Sequence, residues 1–86
     1  MARQSARLLL VDDDPSLLKL LGMRLSSEGY QVTTAGSGPE ALRLLQKEQI
    51  DLVISDLRMD EMDGLALFGE IQKRNPSLPV IILTAH

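Results

Sequence analysis

Short apolar runs alternate with helical stripes along this chain. Leu8 to Val11 is an unbroken apolar run that ends in Asp12, Asp13 and Asp14. Pro15 suits the first turn of a helix, with Asp14 as its N-cap. Leu18, Leu21 and Leu25 then recur at i, i+3 and i+7. That stripe predicts a helix to about Ser27, with Gly29 as its stop. Tyr30 to Ala35 alternates and carries β-branched residues, the pattern of a second strand. Gly36-Ser37-Gly38-Pro39 predicts a turn that opens a helix at Pro39. Ala41, Leu42 and Leu45 supply its inner face, and it runs to about Glu48. Asp51 to Ser55 predicts a third strand, and Asp56 to Asp63 a loop. Leu65, Phe68 and Ile71 mark a third helix that ends near Arg74, before Asn75-Pro76. Val80 to Leu83 predicts a fourth strand ending at Thr84, and residues 1–6 read as a loose leader.

The predicted order is βαβαβαβ. Strands that alternate with helices of this length pair in parallel through right-handed crossovers. Parallel strands all point the same way, so their terminal residues gather on one edge of the sheet. In open α/β sheets that edge is where ligands bind. Here it collects Asp12 to Asp14, Asp56 and Thr84.

Composition narrows the class. At 86 residues the chain is one small domain, and 44% hydrophobic content is that of a globular protein. It has no cysteine, so disulfides and thiolate metal sites are excluded, which fits a reducing compartment. No apolar run approaches the roughly 18 residues that span a bilayer. Two arginines precede Leu8, but Asp12 ends the apolar run too early for a signal-peptide core. A net charge of -3 gives no electrostatic reason for nucleic-acid contact.

Several carboxylates at one sheet edge repel one another, and a bound divalent cation removes the conflict. A hard cation such as Mg²⁺ takes oxygen ligands, one or two of them protein carboxylates, and keeps several waters. Asp13 and Asp56 are the expected direct ligands, with Asp12 acting through water. Asp56 could then attack phosphorus, since carboxylates serve as phosphoryl acceptors, and the Thr84 hydroxyl could donate to a phosphoryl oxygen. Each residue also has a plainer role. Asp14 is most simply a helix cap, Asp60, Glu61 and Asp63 a solvated turn, and His86 a terminal side chain. The weight lies in their joint placement.

LLLVDDDPSLLKLL, DLVISDLRMDEMDG and VIILTAH together resemble the receiver domain of two-component response regulators, in particular the NtrC type that precedes a sigma-54-activating module. The likeness covers the chain from Leu8 onward. It implies a flavodoxin-like (CheY-like) doubly wound parallel sheet, here with strand order 2-1-3-4. It implies that Asp56 is the phosphoacceptor, that Asp12 and Asp13 hold Mg²⁺, and that Arg58 gives the metal its backbone carbonyl. Thr84 matches the hydroxyl that contacts the phosphoryl group. The implied donor is the phosphohistidine of a sensor histidine kinase, the implied location of this protein is the cytoplasm, and His86 is not that histidine. The implied role is transcriptional control through a separate output module, with no enzymatic turnover beyond self-catalysed phosphotransfer and dephosphorylation.

Two departures stand out. Family members often carry proline where this chain has Asp60. The family pattern also continues into a fifth βα unit that supplies a lysine, and Lys19, Lys47 and Lys73 all fall on predicted helices. The expectation is therefore that residues 1–86 are the N-terminal portion of a receiver. Its fourth strand would be an exposed apolar edge inviting self-association. Cation binding would survive while phosphorylation is impaired. Two other readings compete. A phosphorylation-incompetent scaffold would keep the fold alone. An aspartate-nucleophile phosphohydrolase would want an acid two residues past Asp56, where this chain has Arg58. Flavin binding is excluded because no aromatic residues flank the site.

Overall fold

A computed structural model describes residues 5–84. The leader residues 1–4 and His86 lie outside the described residues. The elements run β1 (Arg7–Val11), α1 (Pro15–Ser27), β2 (Gln31–Ala35), α2 (Gly38–Lys47), β3 (Leu52–Asp56), α3 (Gly64–Arg74) and β4 (Val80–Leu83). All pairings are parallel, and the strand order is β2-β1-β3-β4. This is the doubly wound arrangement expected from the alternating pattern.

β1 is central and almost wholly buried, which is why Leu8 to Val11 shows no alternation. Leu9 and Val11 join Val53, Ala35, Ala41, Leu42, Leu67 and Ile71 in one core beneath α2 and α3. α1 packs on the opposite face, against β1 and β2. Gly22 is buried at this contact, where a Cβ would meet the Val32 and Thr34 side chains at an ordinary 3.8 Å. Ser55 is fully buried in β3, and its hydroxyl donates to the Asp56 carbonyl at 2.9 Å.

The boundaries differ from expectation in three instructive places. Tyr30 is not in a strand. Its N–H reaches back to the Leu25 carbonyl, and the Gly29 N–H reaches Ser26. These bonds close α1 with Gly29 at φ 102, the left-handed position that glycine fills most cheaply. Asp56 is the last residue of β3 rather than the first of a loop, because it pairs with Leu83. In α3 the inward residues are Leu67 and Ile71, whereas Leu65 is 62% exposed. The half-buried α1 stripe of Leu18, Leu21 and Leu25 is as expected.

Candidate metal centre

The carboxyl ends of β1 and β3 lie side by side. Leu10 pairs with Ile54 and Val11 with Ser55, which brings Asp12 level with Asp56. Asp12 extends the ladder beyond β1, since its N–H donates to the Ala35 carbonyl at 3.1 Å. Asp12, Asp13 and Asp56 each offer a carboxylate oxygen, and these atoms all lie within 4.8 Å of one another. The three expected acids are thus brought together. Thr84 follows β4 directly at the same edge, one residue past the partner of Asp56. Arg58 is an exposed loop residue.

Asp12 is buried to 8% exposure, and one of its oxygens accepts the Asp14 N–H at 2.9 Å. Burial is the main cause that pushes its carboxyl above the ordinary carboxylate range. The Asp14 N–H opposes this, and the neighbouring charges of Asp56, Asp13 and Asp14 add to it. Asp13 is exposed, and its Oδ2 accepts the backbone N–H of Asp60 at 3.2 Å. Each of these two acids therefore holds one oxygen on a backbone N–H. All donors in the cluster are hard carboxylate oxygens, so the donor set fits a hard divalent cation and could hold one.

The neighbouring acids have structural duties. Asp14 caps α1, accepting from Ser16 and Leu17 at 3.0 and 3.3 Å. Asp63 caps α3, accepting the Ala66 N–H at 2.8 Å. Ser37 caps α2 while Glu40 reaches back to the Gly36 N–H at 2.8 Å. The loop after β3 is closed by the Gly64 N–H on the Leu57 carbonyl at 2.8 Å. Met59 and Met62 anchor it against the core. A hollow of about 260 Å³, lined by Asp13, Gly36, Ser37, Met59, Asp60 and Glu61, opens beside the acids. A second hollow of about 310 Å³ lies at the opposite edge of the sheet, lined by Leu42, Ile50, Ile71 and Leu78 together with Gln46, Glu48, Gln49, Arg74 and Asn75.

The family model for the response regulator receiver domain matches residues 8–86. The chain belongs to the response regulator receiver family. Over all 86 residues this receiver is 71% identical to the transcriptional regulatory protein GlrR of Escherichia coli K12, covering 19% of that protein. It is 48% identical over 77 residues, 90% of its length, to the DNA-binding transcriptional regulator NtrC of Klebsiella pneumoniae, covering 16% of it. The receiver thus spans about a fifth of the length of the curated relatives it matches. Among solved structures, the response regulator TrrA of Thermotoga maritima, in complex with Mg²⁺ and BeF, superposes with a TM-score of 0.89 at 42% identity. That match covers 94% of the receiver and 70% of TrrA, and it shows the CheY-like flavodoxin fold. Receivers are signalling domains of two-component systems, and the relatives here are bacterial transcriptional regulators.

Proposed function

We propose that this receiver accepts a phosphoryl group on Asp56 from the phosphohistidine of a sensor histidine kinase. The observation that carries the reading is the convergence of Asp12, Asp13 and Asp56 within 4.8 Å at the carboxyl edge of the sheet. Mg²⁺ is the expected cation, in line with the Mg²⁺–BeF complex of TrrA. Asp13, Asp56 and the Arg58 carbonyl would hold it directly, with Asp12 acting through water. When bound, it neutralises the acids and offsets charge on the phosphoryl oxygens.

The remaining work belongs to the chain. An Asp56 carboxylate oxygen forms the new bond to phosphorus as the phosphorus–nitrogen bond of the donor breaks. The electron pair leaves with the imidazole nitrogen, which takes a proton from solvent. β3 holds the backbone that carries the attacking carboxylate, with Ser55 paired to Val11 and Asp56 to Leu83. Thr84 donates its hydroxyl to a phosphoryl oxygen. Output would pass to a separate transcriptional module of the sigma-54-activator type, in the cytoplasm. Among the described residues no helix is long and apolar enough to cross a membrane. The net charge of -3 gives no electrostatic reason to expect nucleic-acid contact by this domain.

The test is a Mg²⁺ titration followed by amide NMR, on this chain and on Asp56→Asn. Saturable shifts around Asp13, Asp56 and Arg58, weakened by the substitution, are expected. Labelling of these 86 residues by a small phosphodonor should be slow and substoichiometric in the wild type and absent from Asp56→Asn. Absence of any saturable cation response would sink the reading.

A second property rests on β4. Among the described residues it pairs with β3 alone, and Ile81 and Leu83 are 46% and 45% exposed. An apolar strand edge of this kind templates pairing with another copy. Self-association through β4 is expected to raise the mass in light scattering with concentration. A constant monomer mass at high concentration would exclude it.

A further inference from the structure

We infer that Met62 is a positioning residue for the acceptor site, bolting the loop that follows Asp56 onto the first turn of α2. The inference rests on reading the acids as a divalent-cation site. That loop, residues 57–63, leaves β3 directly at Asp56 and carries Arg58, the proposed carbonyl ligand. Backbone hydrogen bonds hold its two ends, the Leu57 N–H on the Leu83 carbonyl at 3.0 Å and the Gly64 N–H on the Leu57 carbonyl at 2.8 Å. Between them Arg58, Asp60 and Glu61 are exposed. A stretch of this kind keeps one shape only where buried contacts hold it down.

Met62 supplies such a contact. It is half-buried against the core, and its side chain lies across Gly38, the buried first residue of α2. A Cβ built on Gly38 would lie 2.7 Å from the Met62 Sδ, 3.1 Å from its Cγ and 2.9 Å from its Cβ. The sulfur can swing aside, since methionine is unbranched and adaptable. The Met62 Cβ cannot, because it moves only with the loop backbone. Reaching 3.4 Å there means displacing the loop from α2 by about 0.5 Å. The α2 side is firmly held. Ser37 accepts the Glu40 N–H at 3.2 Å, Glu40 accepts the Gly36 N–H at 2.8 Å, and Ala41 and Leu42 lie in the core. The start of α2 contributes no acid to the cluster, yet it sets where the loop after Asp56 sits.

Mg²⁺ affinity is measured by calorimetry on wild type, Gly38→Ala, Met62→Ala, Met62→Leu and Leu25→Ala, with amide spectra showing that each is folded. Gly38→Ala pushes the loop off α2, and Met62→Ala empties the seam between them. Each should bind about tenfold more weakly than wild type. Met62→Leu keeps an apolar filling of similar volume and should bind nearly as wild type. Leu25→Ala trims a half-buried side chain of α1, on the other face of the sheet, so it lowers stability and should leave affinity unchanged. An affinity equal in Met62→Ala and wild type, or one that falls as far in Leu25→Ala, would overturn the inference. If Gly38→Ala does not fold, the two Met62 variants carry the comparison. A second arm needs no cation. In cation-free wild type, nuclear Overhauser contacts should join the Met62 γ-protons to the Gly38 α-protons. Absence of that contact would overturn the seam whether or not the cation binds. A wild type that shows the contact and binds no Mg²⁺ would instead overturn the cation reading, and the positioning role with it.

Discussion

Alanine at Gly64 and alanine at Gly69 are the same chemical change in the same helix, and they should act in opposite directions. A Cβ on Gly64 would lie 2.5 Å from the Asp56 carbonyl oxygen and 3.0 Å from the Leu57 Cα. Both are backbone atoms, so no side chain can turn aside to make room. Reaching an ordinary contact of 3.4 Å means parting α3 from the end of β3 by about 0.9 Å. Overpacking of this kind costs about 1–3 kcal/mol. The Gly64 hydrogen bond to Leu57 is stretched as well, for about 1 kcal/mol more. Against this, alanine is about 0.5–1 kcal/mol better than glycine in a helix. The net expectation for Gly64→Ala is a loss of about 1–3 kcal/mol. A domain of this size holds about 4–13 kcal/mol in all, so the loss is a large fraction.

Gly69 has nothing within 4 Å of its would-be Cβ, so Gly69→Ala should gain about 0.5–1 kcal/mol. Urea unfolding of both variants reads the difference, expected at about 1.5–4 kcal/mol. The shift falls on the backbone of Asp56, so Gly64→Ala should also weaken Mg²⁺ binding about tenfold, while Gly69→Ala leaves it unchanged. Equal stability and equal affinity in the two variants would refute the reasoning. It would mean that the close approach of α3 is not what holds Asp56 in place.

Two further outcomes are expected. The raised carboxyl of Asp12 means that the folded chain binds this proton more tightly than the unfolded chain. In the absence of a cation this residue therefore lowers stability as pH rises from 3.8 through its folded value, and the loss is complete above that value. The urea midpoint of wild type should fall relative to that of Asp12→Asn as pH rises across this range, and a difference that does not change with pH would contradict it. Asp63→Ala removes the cap of α3, leaving the Ala66 N–H without its 2.8 Å partner, and should cost about 1 kcal/mol in the same assay.

Most of the fold is legible in the sequence because its strands are short apolar runs and its helices carry capped stripes. The acids at strand ends are legible for the same reason. Parallel order alone sends Asp12, Asp13 and Asp56 to one edge. Other features are not, because they are contacts between distant segments. The role of Asp63 as a cap depends on where α3 begins, and the turn-like string around it hides that start. Asp56 reads as a loop residue until its partner Leu83 is known. Leu65 looks inward by spacing from Phe68 and Ile71, but α3 turns Leu67 to the core instead. The Asp60 N–H on Asp13 joins residues from two loops, and no local pattern marks it.

No two neighbouring strands of this sheet are joined by a hairpin. Leu8 pairs with Val32 on one side and with Leu52 on the other, and Val53 waits for Val80. Every pairing thus closes a long segment before it gains contacts, which slows folding relative to a helical bundle. During synthesis β1 emerges first, yet one of its flanks stays bare until β3 has been made. A nascent chain of two strands would carry two of the three acids on a leucine-rich strand with one flank bare, the kind of surface that chaperones exist to cover. Asp56 arrives with the pairing that fills that flank. A cation held by all three acids would therefore be captured only after β3 has paired with β1.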